Sequence, residues 1–272
     1  MVLRNYHTHS IHCDGCCTVD EMVRAAIAQG MNALGFSGHA TIPFDLRYCT
    51  APKDFPPYIE AVNTCKETYK DQLEIYLGVE DDFYAVRPDF PRDYTIAASH
   101  YMQKDGIYHY VDHSEELLRK AIKEGFEGDP YKMTAYYFEI VAGFPERMTF
   151  DFVGHFDLVA KFNESGRLFD EDDPRYWKPA LEAMEHLCRQ GYAFEVNTGA
   201  ISRGFRTVPY PSPRLLRALH SFGGSIVFCC DSHTADTVCS YLPEAAELAA
   251  ACGFRTHRVL TPSGWQEVPL GK

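Results

Sequence analysis

Side chains that commonly bind metals follow short apolar segments along the whole of this chain. His7-Thr8-His9 lies near the start and Asp231-Ser232-His233 near the end. On a β-strand, residues i and i+2 point to the same face, so each tripeptide directs two ligands towards one place. The two pairs can serve one site only in a fold that brings distant strand ends together.

Apolar segments of strand length alternate with amphipathic segments of helix length from residue 4 onwards. The predicted strands cover 4–9, 32–37, 73–79, 94–99, 150–154, 192–196 and 225–230. A capping box at Thr18 and Glu21 opens the first predicted helix, and the last helix is predicted over 235–252. Alternation of this kind favours a parallel sheet, and seven units in 272 residues favour a closed α/β, TIM-like (β/α)7 barrel.

The regular alternation is interrupted once. Around 106–149 the pattern changes to a hairpin arm and two consecutive helices, which indicates a helical insertion into the barrel. No linker rich in Pro, Gly or Ser divides the chain, so we expect a single domain over 1–272.

Further ligand-type residues stand at the ends of the predicted strands. They are His39, Glu80, His100 and His155. In a β/α barrel the carboxyl ends of the strands form the active site. Imidazoles and carboxylates gathered there would repel one another and lose hydration unless cations bound them. The pattern therefore predicts a metal site, whereas we expect the other six histidines to be surface or packing residues: His12, His109, His113, His186, His220 and His257.

The ligand types narrow the choice of metal. Imidazole and carboxylate without thiolate suit zinc, manganese or iron. The set is too large for one ion, which indicates two or three divalent cations, and Glu80 is the best bridging carboxylate because it is the lone Glu. We expect all ten cysteines to be free, with Cys13, Cys16 and Cys17 too far along their loop to join the metals.

Charge and hydropathy exclude other classes of protein. The net charge is −12, and no Lys/Arg run offers a track for nucleic acid. No apolar run approaches a membrane span, and residues 1–10 lack the apolar core of a secretory signal. These features favour a cytoplasmic hydrolase that acts on a small molecule, without nucleic acid or membrane partners; the oligomeric state is left open.

The order of the motifs resembles that of a known family. HTHS-x3-DG, GHA, GVE, SHY, GHFD and DSH follow one another as in the PHP family, named for polymerase and histidinol phosphatase. The resemblance covers nearly the whole chain and implies a distorted barrel of seven βα units with a trinuclear centre. It implies that the first metal is held by His7, His9, Glu80 and Asp231, the second by Glu80, His100 and His155, and the third by Asp14, His39 and His233.

The resemblance also implies an activity, the hydrolysis of L-histidinol phosphate. In the expected mechanism, a hydroxide that bridges two metals attacks phosphorus. The alkoxide then needs a proton or a metal, and Asp14, Asp231 and His233 are all candidates. The alternative is a related phosphoesterase acting on another small ester, such as a nucleotide, a cyclic phosphate or a sugar phosphate.

Substrate contacts can be proposed from the loops that follow the strands. Arg203 and Lys161 suit a phosphate group, with Arg203 the better candidate because a guanidinium binds phosphate in bidentate fashion. Asn197 is expected to orient the substrate. Asp82 is expected to meet a cationic substrate group, and Tyr101 to stack on a ring.

Two other classes are less favoured. A binding module with an inactive metal site is disfavoured because every ligand position is occupied. A metal-dependent amidohydrolase also uses His-x-His on a barrel, but it usually has a bridging Lys after a middle strand, and none is obvious here.

Overall fold

Seven parallel strands form the frame of the molecule. The structure is a computed structural model that describes residues 3–270. The strands within these residues are β1 (Arg4–Asn5), β2 (Ala33–Phe36), β3 (Glu74–Asp82), β4 (Tyr94–Ala98), β5 (Tyr101–Lys104), β6 (Ile107–Tyr110), β7 (Phe152–Val153), β8 (Ala193–Asn197), β9 (Ser225–Cys229), β10 (Thr256–Thr261) and β11 (Gly264–Pro269). The main sheet has the order β1-β2-β3-β4-β7-β8-β9. Its strands are almost continuously apolar because both faces of a parallel sheet are covered.

Helices connect the strands and cover the outside of the sheet. They are α1 (Val19–Ala28), α2 (Phe55–Thr68), α3 (Glu115–Gly125), α4 (Pro130–Ala142), α5 (Phe144–Arg147), α6 (Pro174–Arg189), α7 (Gly199–Ser202), α8 (Pro213–Ser221) and α9 (Leu242–Ala251). The predicted capping box of α1 forms, with the Thr18 side chain accepting from the Glu21 amide and the Glu21 carboxylate accepting from the Thr18 amide. Between residues 3 and 270, no helix is both long and apolar enough to span a bilayer.

The sheet nearly closes where β1 meets β9. Beyond the two strands, Thr8 and Ser232 form a parallel bridge, in which the His9 amide donates to the Ser232 carbonyl at 2.8 Å. Between β1 and the end of β9, a side chain takes the place of a backbone hydrogen bond. The Asn5 Oδ1 accepts from the Cys230 amide at 2.9 Å. The predicted seven-unit α/β barrel is confirmed.

A single tyrosine fills the middle of the barrel. Tyr94 donates its hydroxyl hydrogen to the Tyr6 carbonyl at 2.6 Å, and the Phe36 carbonyl lies 3.1 Å from the same oxygen. Gly78 makes room for the ring, because a Cβ there would lie 2.4 Å from Tyr94. The barrel interior is therefore a packed core rather than a channel.

The chain ends in a β-hairpin that the sequence reading did not predict. β10 and β11 pair in antiparallel register, and Gly264 adopts a φ of +95° in the turn between them. Leu260 and the partly buried Trp265 pack onto the aromatic cluster at the amino ends of the barrel strands. The alternating residues on either side of Pro262-Ser263-Gly264 were the local signal for this hairpin.

The predicted last helix over 235–252 is wrong in its first half. A 3₁₀ turn occupies Ala235–Thr237, and α9 begins at Leu242 after Tyr241, which has a left-handed φ of 60°. Pro243 explains the break, because a proline lacks the amide hydrogen that a continuous helix would need there, while the first turn of a helix tolerates it.

The segment between β4 and β7 is the predicted insertion. It begins with the hairpin β5–β6 and continues through α3, α4 and α5. The hairpin is joined to α4 by Tyr136, whose hydroxyl donates to the Gln103 carbonyl at 2.6 Å. The insertion follows the carboxyl end of β4, and its residues Tyr101, Tyr110 and His113 line one side of the barrel mouth.

Candidate metal centre

The nine predicted metal ligands meet at the carboxyl ends of the barrel strands. They are His7, His9, Asp14, His39, Glu80, His100, His155, Asp231 and His233. Each follows its strand except Glu80, which lies within β3 because that strand continues to Asp82. Seven of the nine are buried, and Asp14 is the most exposed carboxylate, with 29% of its side chain accessible.

Glu80 lies at the centre of this cluster. Its two carboxylate oxygens approach five imidazoles: His39 Nδ1 at 2.8 Å, His155 Nε2 at 2.8 Å, His7 Nε2 at 3.1 Å, His100 Nε2 at 3.4 Å and His9 Nε2 at 3.6 Å. A carboxylate with this many imidazole neighbours is well suited to bridge cations.

Four overlapping groups have the geometry to hold a metal ion. The groups are His7, His9 and Asp231; His7, Glu80 and His155; His39, Glu80 and His100; and His9, Asp14, His39 and His233. Within each group, the possible ligand atoms lie within 4.8 Å of one another. The grouping resembles the three expected sets, although His7, His9 and His39 each join two groups, and His100 and His155 fall in different groups.

Several buried polar atoms of the predicted ligands make no hydrogen bond within residues 3–270. They are His7 Nε2, His9 Nε2, Glu80 Oε2 and His155 Nδ1. An unpaired buried polar atom costs about 1–3 kcal/mol, and a charged one more. Cations coordinated by imidazole nitrogen and carboxylate oxygen would remove this cost, so the donor set fits divalent metals.

The environment of Glu80 and His9 favours the protonation states in which these side chains bind metals. Burial opposes ionisation of Glu80, but His39, His7 and His100 outweigh it and hold its pKa well below the usual range. Burial lowers the pKa of His9 to about 3, with His233 and His39 acting in the same direction. Glu80 is thus an anion and His9 a neutral imidazole, which are the forms that bind metals.

Two outer carboxylates orient the imidazoles. Glu195, on β8, accepts from His7 Nδ1 at 2.7 Å and from the His155 amide at 2.7 Å. Asp82 approaches His100 Nδ1 at 3.1 Å and accepts from the His100 amide at 2.7 Å. Each contact directs the other ring nitrogen of His7 or His100 towards Glu80, as outer carboxylates do in metal sites.

The predicted substrate role of Asp82 is therefore corrected. Asp82 lies behind His100, and its second oxygen accepts from the Tyr84 amide at 2.8 Å, so neither oxygen faces the substrate space. Asn197 is also misassigned: it is fully buried outside the cavity, and its Oδ1 accepts from the Gly199 amide at 2.8 Å. Strand-end position alone did not distinguish supporting residues from exposed ones.

Asp231 reaches the cluster from a left-handed turn. Its φ is 50°, so Asp231-Ser232-His233 is not the extended i/i+2 pair that the sequence predicts. Arg203 donates from Nη2 to Asp231 Oδ2 at 2.8 Å and from Nη1 to the Asp231 carbonyl at 2.8 Å. Burial opposes ionisation of Asp231, but Arg203 and His7 hold its pKa well below the usual range.

Asp14 is brought to the site by a tight turn. The Gly15 amide donates to the Ser10 carbonyl at 3.1 Å, and a Cβ at Gly15 would lie 2.5 Å from the Ser10 nitrogen. The same turn brings Cys13 Sγ to 3.5 Å from His9 Nδ1, closer than the sequence analysis expected. The cysteines of the described chain, 3–270, are all free thiols.

A cavity of about 390 Å³ opens in front of the cluster. Arg203 and Lys161, the two predicted phosphate contacts, both line it. Lys161 donates to Asp112 Oδ2 at 3.0 Å. Burial opposes ionisation of Asp112, but Lys161 and His100 outweigh it and lower its pKa to about 2. The metal ligands and the two cations thus face the same space.

Aromatic residues of the loop after β2 and of the insertion form the remaining wall. Tyr101, which is expected to stack on a substrate ring, lines the cavity, and its hydroxyl donates to Asp45 Oδ2 at 2.9 Å. Tyr110 donates to the same oxygen at 3.0 Å. His113 lines the cavity, although the sequence analysis expected it to be a surface or packing residue. The wall residues that the sequence analysis did not identify are Arg47, Tyr48, Tyr110, Asp112, His113 and Leu158.

Fold and site together define a β/α-barrel metallohydrolase. The PHP domain family matches residues 5–199, and the chain belongs to this family. It is 28% identical to a probable histidinol-phosphatase of Deinococcus radiodurans over 94% of this chain and 97% of that protein. It is 25% identical to the histidinol-phosphatase of Bacillus subtilis over 88% of this chain and 96% of that protein.

A solved structure shares the fold. The histidinol phosphate phosphatase of Lactococcus lactis, in complex with zinc, L-histidinol and phosphate, superposes with a TM-score of 0.75. The match covers 97% of this chain and 98% of that chain at 20% identity.

Proposed function

We propose that this protein hydrolyses L-histidinol phosphate to L-histidinol and phosphate. The observation that carries the proposal is the shared cavity, in which the carboxylate–imidazole cluster faces Arg203 and Lys161. A phosphate ester needs both partners, since cations offset its charge and a guanidinium orients it. The near full-length similarity to named histidinol-phosphatases supports this ester as the substrate.

Two or three divalent cations, zinc, manganese or iron, would be held by the nine clustered side chains. When bound, such ions supply Lewis acidity and an activated water. The role of the protein is to preorganise their ligands, and the buried Glu195 and Asp82 support this by fixing His7 and His100.

Arg203 and Lys161 would orient the phosphoryl group. Both are already held in place, Arg203 by Asp231 and Lys161 by Asp112. A side chain held in advance loses less entropy when it binds. Arg203 is the stronger contact, because its planar fork matches two phosphate oxygens.

The leaving alkoxide oxygen requires a proton. Asp231 and Asp14 are both poor donors, because Arg203 keeps Asp231 ionised and His39, with His233, keeps Asp14 ionised. Asp14 and His233 both line the cavity, with Asp14 Oδ2 at 3.3 Å from His233 Nε2. We therefore assign proton delivery to His233 when it is not bound to a cation.

We also propose that residues 1–272 form one domain. The family match ends at 199, yet the barrel needs β9, and Asp231 and His233 follow that strand. The terminal hairpin then packs onto the same barrel, which supports a single folding unit.

The test is phosphate release from a panel of esters. Protein loaded with zinc, manganese or iron should hydrolyse L-histidinol phosphate far faster than nucleoside monophosphates, a cyclic phosphate or sugar phosphates. Metal content is measured on the same sample. A preference by orders of magnitude for another ester in the panel would overturn the assignment and favour the alternative phosphoesterase.

A further inference from the structure

The hydroxyl of Tyr48 is buried in the cavity wall without a partner. Tyr48 lies in the loop after β2 and lines the cavity, and its buried oxygen makes no hydrogen bond within the described residues. The neighbouring Tyr101 and Tyr110 differ, since both donate to Asp45. The Tyr48 hydroxyl therefore differs from the hydroxyls of Tyr101 and Tyr110 in the same wall, which have hydrogen-bond acceptors.

The loop that carries Tyr48 is held at both ends. The Thr50 amide donates to the His39 carbonyl at 3.0 Å, and the Thr41 hydroxyl donates to the Thr50 carbonyl at 2.7 Å. The Tyr101 ring stacks on Tyr48 with centroids 6.3 Å apart. These contacts hold the phenol at the cavity wall.

Tyr48 is also next to the candidate metal ligands. Its ring meets His39 edge-on with centroids 4.9 Å apart and lies 6.0 Å from His100. A phosphoryl group held by cations at His39 and His100 would therefore lie near this phenol. A hydrogen bond to a charged phosphate oxygen is stronger than one to a neutral acceptor.

We propose that the Tyr48 hydroxyl donates a hydrogen bond to a phosphoryl oxygen of the ester bound in the cavity. This inference rests on the proposed phosphatase function and adds a third substrate contact opposite Arg203 and Lys161. It accounts for the unpaired hydroxyl, because the substrate supplies the acceptor that the protein lacks.

The experiment compares Tyr48→Phe with the wild type as zinc-loaded full-length protein. Titration calorimetry with inorganic phosphate measures the contact without turnover. The variant should bind phosphate about tenfold more weakly and lose a similar factor in kcat/KM, as expected for one charge-assisted hydrogen bond. Zinc content and melting temperature should stay unchanged.

The matched control is Tyr108→Phe. Tyr108 stacks on Phe44 in the same region, with centroids 3.6 Å apart, and does not line the cavity. Its loss of a hydroxyl should leave phosphate affinity unchanged. Equal phosphate affinity in Tyr48→Phe and the wild type overturns the inference, and so does zinc loss in Tyr48→Phe, which would assign the hydroxyl to support of His39.

The outcome is separable from the test of the proposed function. If the wild type fails to hydrolyse L-histidinol phosphate, that function falls. The calorimetric comparison of Tyr48→Phe with the wild type still decides whether the phenol contacts a phosphoryl group.

Discussion

The two ends of the barrel differ in how they satisfy their polar groups. At the amino end, each buried tyrosine hydroxyl of the aromatic cluster has a partner: Tyr6 and Tyr76 bond to the Leu260 backbone, and Tyr94 bonds to the Tyr6 carbonyl. The Trp265 indole also donates, to Asp151 at 2.9 Å. This end is closed by packing and complete without a ligand.

At the carboxyl end, several buried polar atoms make no hydrogen bond within the described residues. They include His7 Nε2, His9 Nε2 and Glu80 Oε2, and charged side chains lie within a few ångströms of one another. Such an arrangement is costly in the absence of cations and substrate. The difference indicates that the amino end supplies stability, while the carboxyl end trades stability for function.

The largest effect should come from removing a ligand at the carboxyl end. His9→Ala should lower turnover by roughly a thousandfold or more, because His9 joins two of the four metal groups. Circular dichroism should show an intact fold, and metal analysis should show reduced metal content. The control is His186→Ala, on the exposed side of α6. Unchanged turnover would remove His9 from the metal shell.

At the amino end, a substitution is expected to reduce stability and leave turnover unchanged. Trp265→Ala should reduce the free energy of unfolding by about 2–3 kcal/mol, because the ring is only partly buried but packs on Tyr6 and Phe152. Denaturant titration measures the loss. Because Trp265 is remote from the cavity, kcat should not change; a loss of kcat without a loss of stability would contradict the division between the ends.

Glu195 lies between the two ends and tests how far the carboxyl end depends on its support. Glu195→Gln keeps the shape but cannot accept at both positions, so either His7 or the His155 amide loses its acceptor. Metal affinity should fall about tenfold to hundredfold. Competition with a chelator measures it, with the exposed Glu247→Gln as control. Equal affinity in the two variants would mean that Glu195 does not orient the ligands.

The smallest effect is a pH dependence at the amino end. Burial lowers the pKa of His257 to about 4, with Arg4 acting in the same direction. The folded state therefore resists protonation, and stability is full above about pH 6.5 and is lost as pH falls towards 4. His257→Gln removes this loss, so relative to wild type its unfolding free energy should rise by about 1–2 kcal/mol from pH 7 to pH 5.

Urea titrations of zinc-loaded protein at both pH values measure this difference. The control is His186→Gln, whose exposed ring should give no such change. A constant difference between His257→Gln and wild type would show that His257 does not titrate differently in the two states.

The ligands could be predicted from the sequence because their positions are local properties. A residue at the end of an apolar strand segment, such as His39 or His155, lies at the carboxyl rim in any parallel barrel. The strand count and the insertion follow from periodicity in the same way. The terminal hairpin was missed although its turn signal is local, because the sequence analysis assigned no element after residue 252.

Other features depend on contacts between distant residues. The path of the chain after β3 and β4 decides whether Asp82 faces the substrate or supports His100. An aspartate suits both roles, so the residue type alone cannot distinguish them. The pairing of Glu195 with His7, 188 positions away, follows from the barrel register.

The sequence by itself determined the class of fold, the set of metal-type side chains and the face on which they gather, because hydrophobic periodicity and strand direction act over a few residues. Only the tertiary structure decided which side chains face the cavity and which stand behind them. Tyr48, Asp112 and Glu195 acquire their roles from neighbours on other elements, and those neighbours are fixed only when the barrel closes.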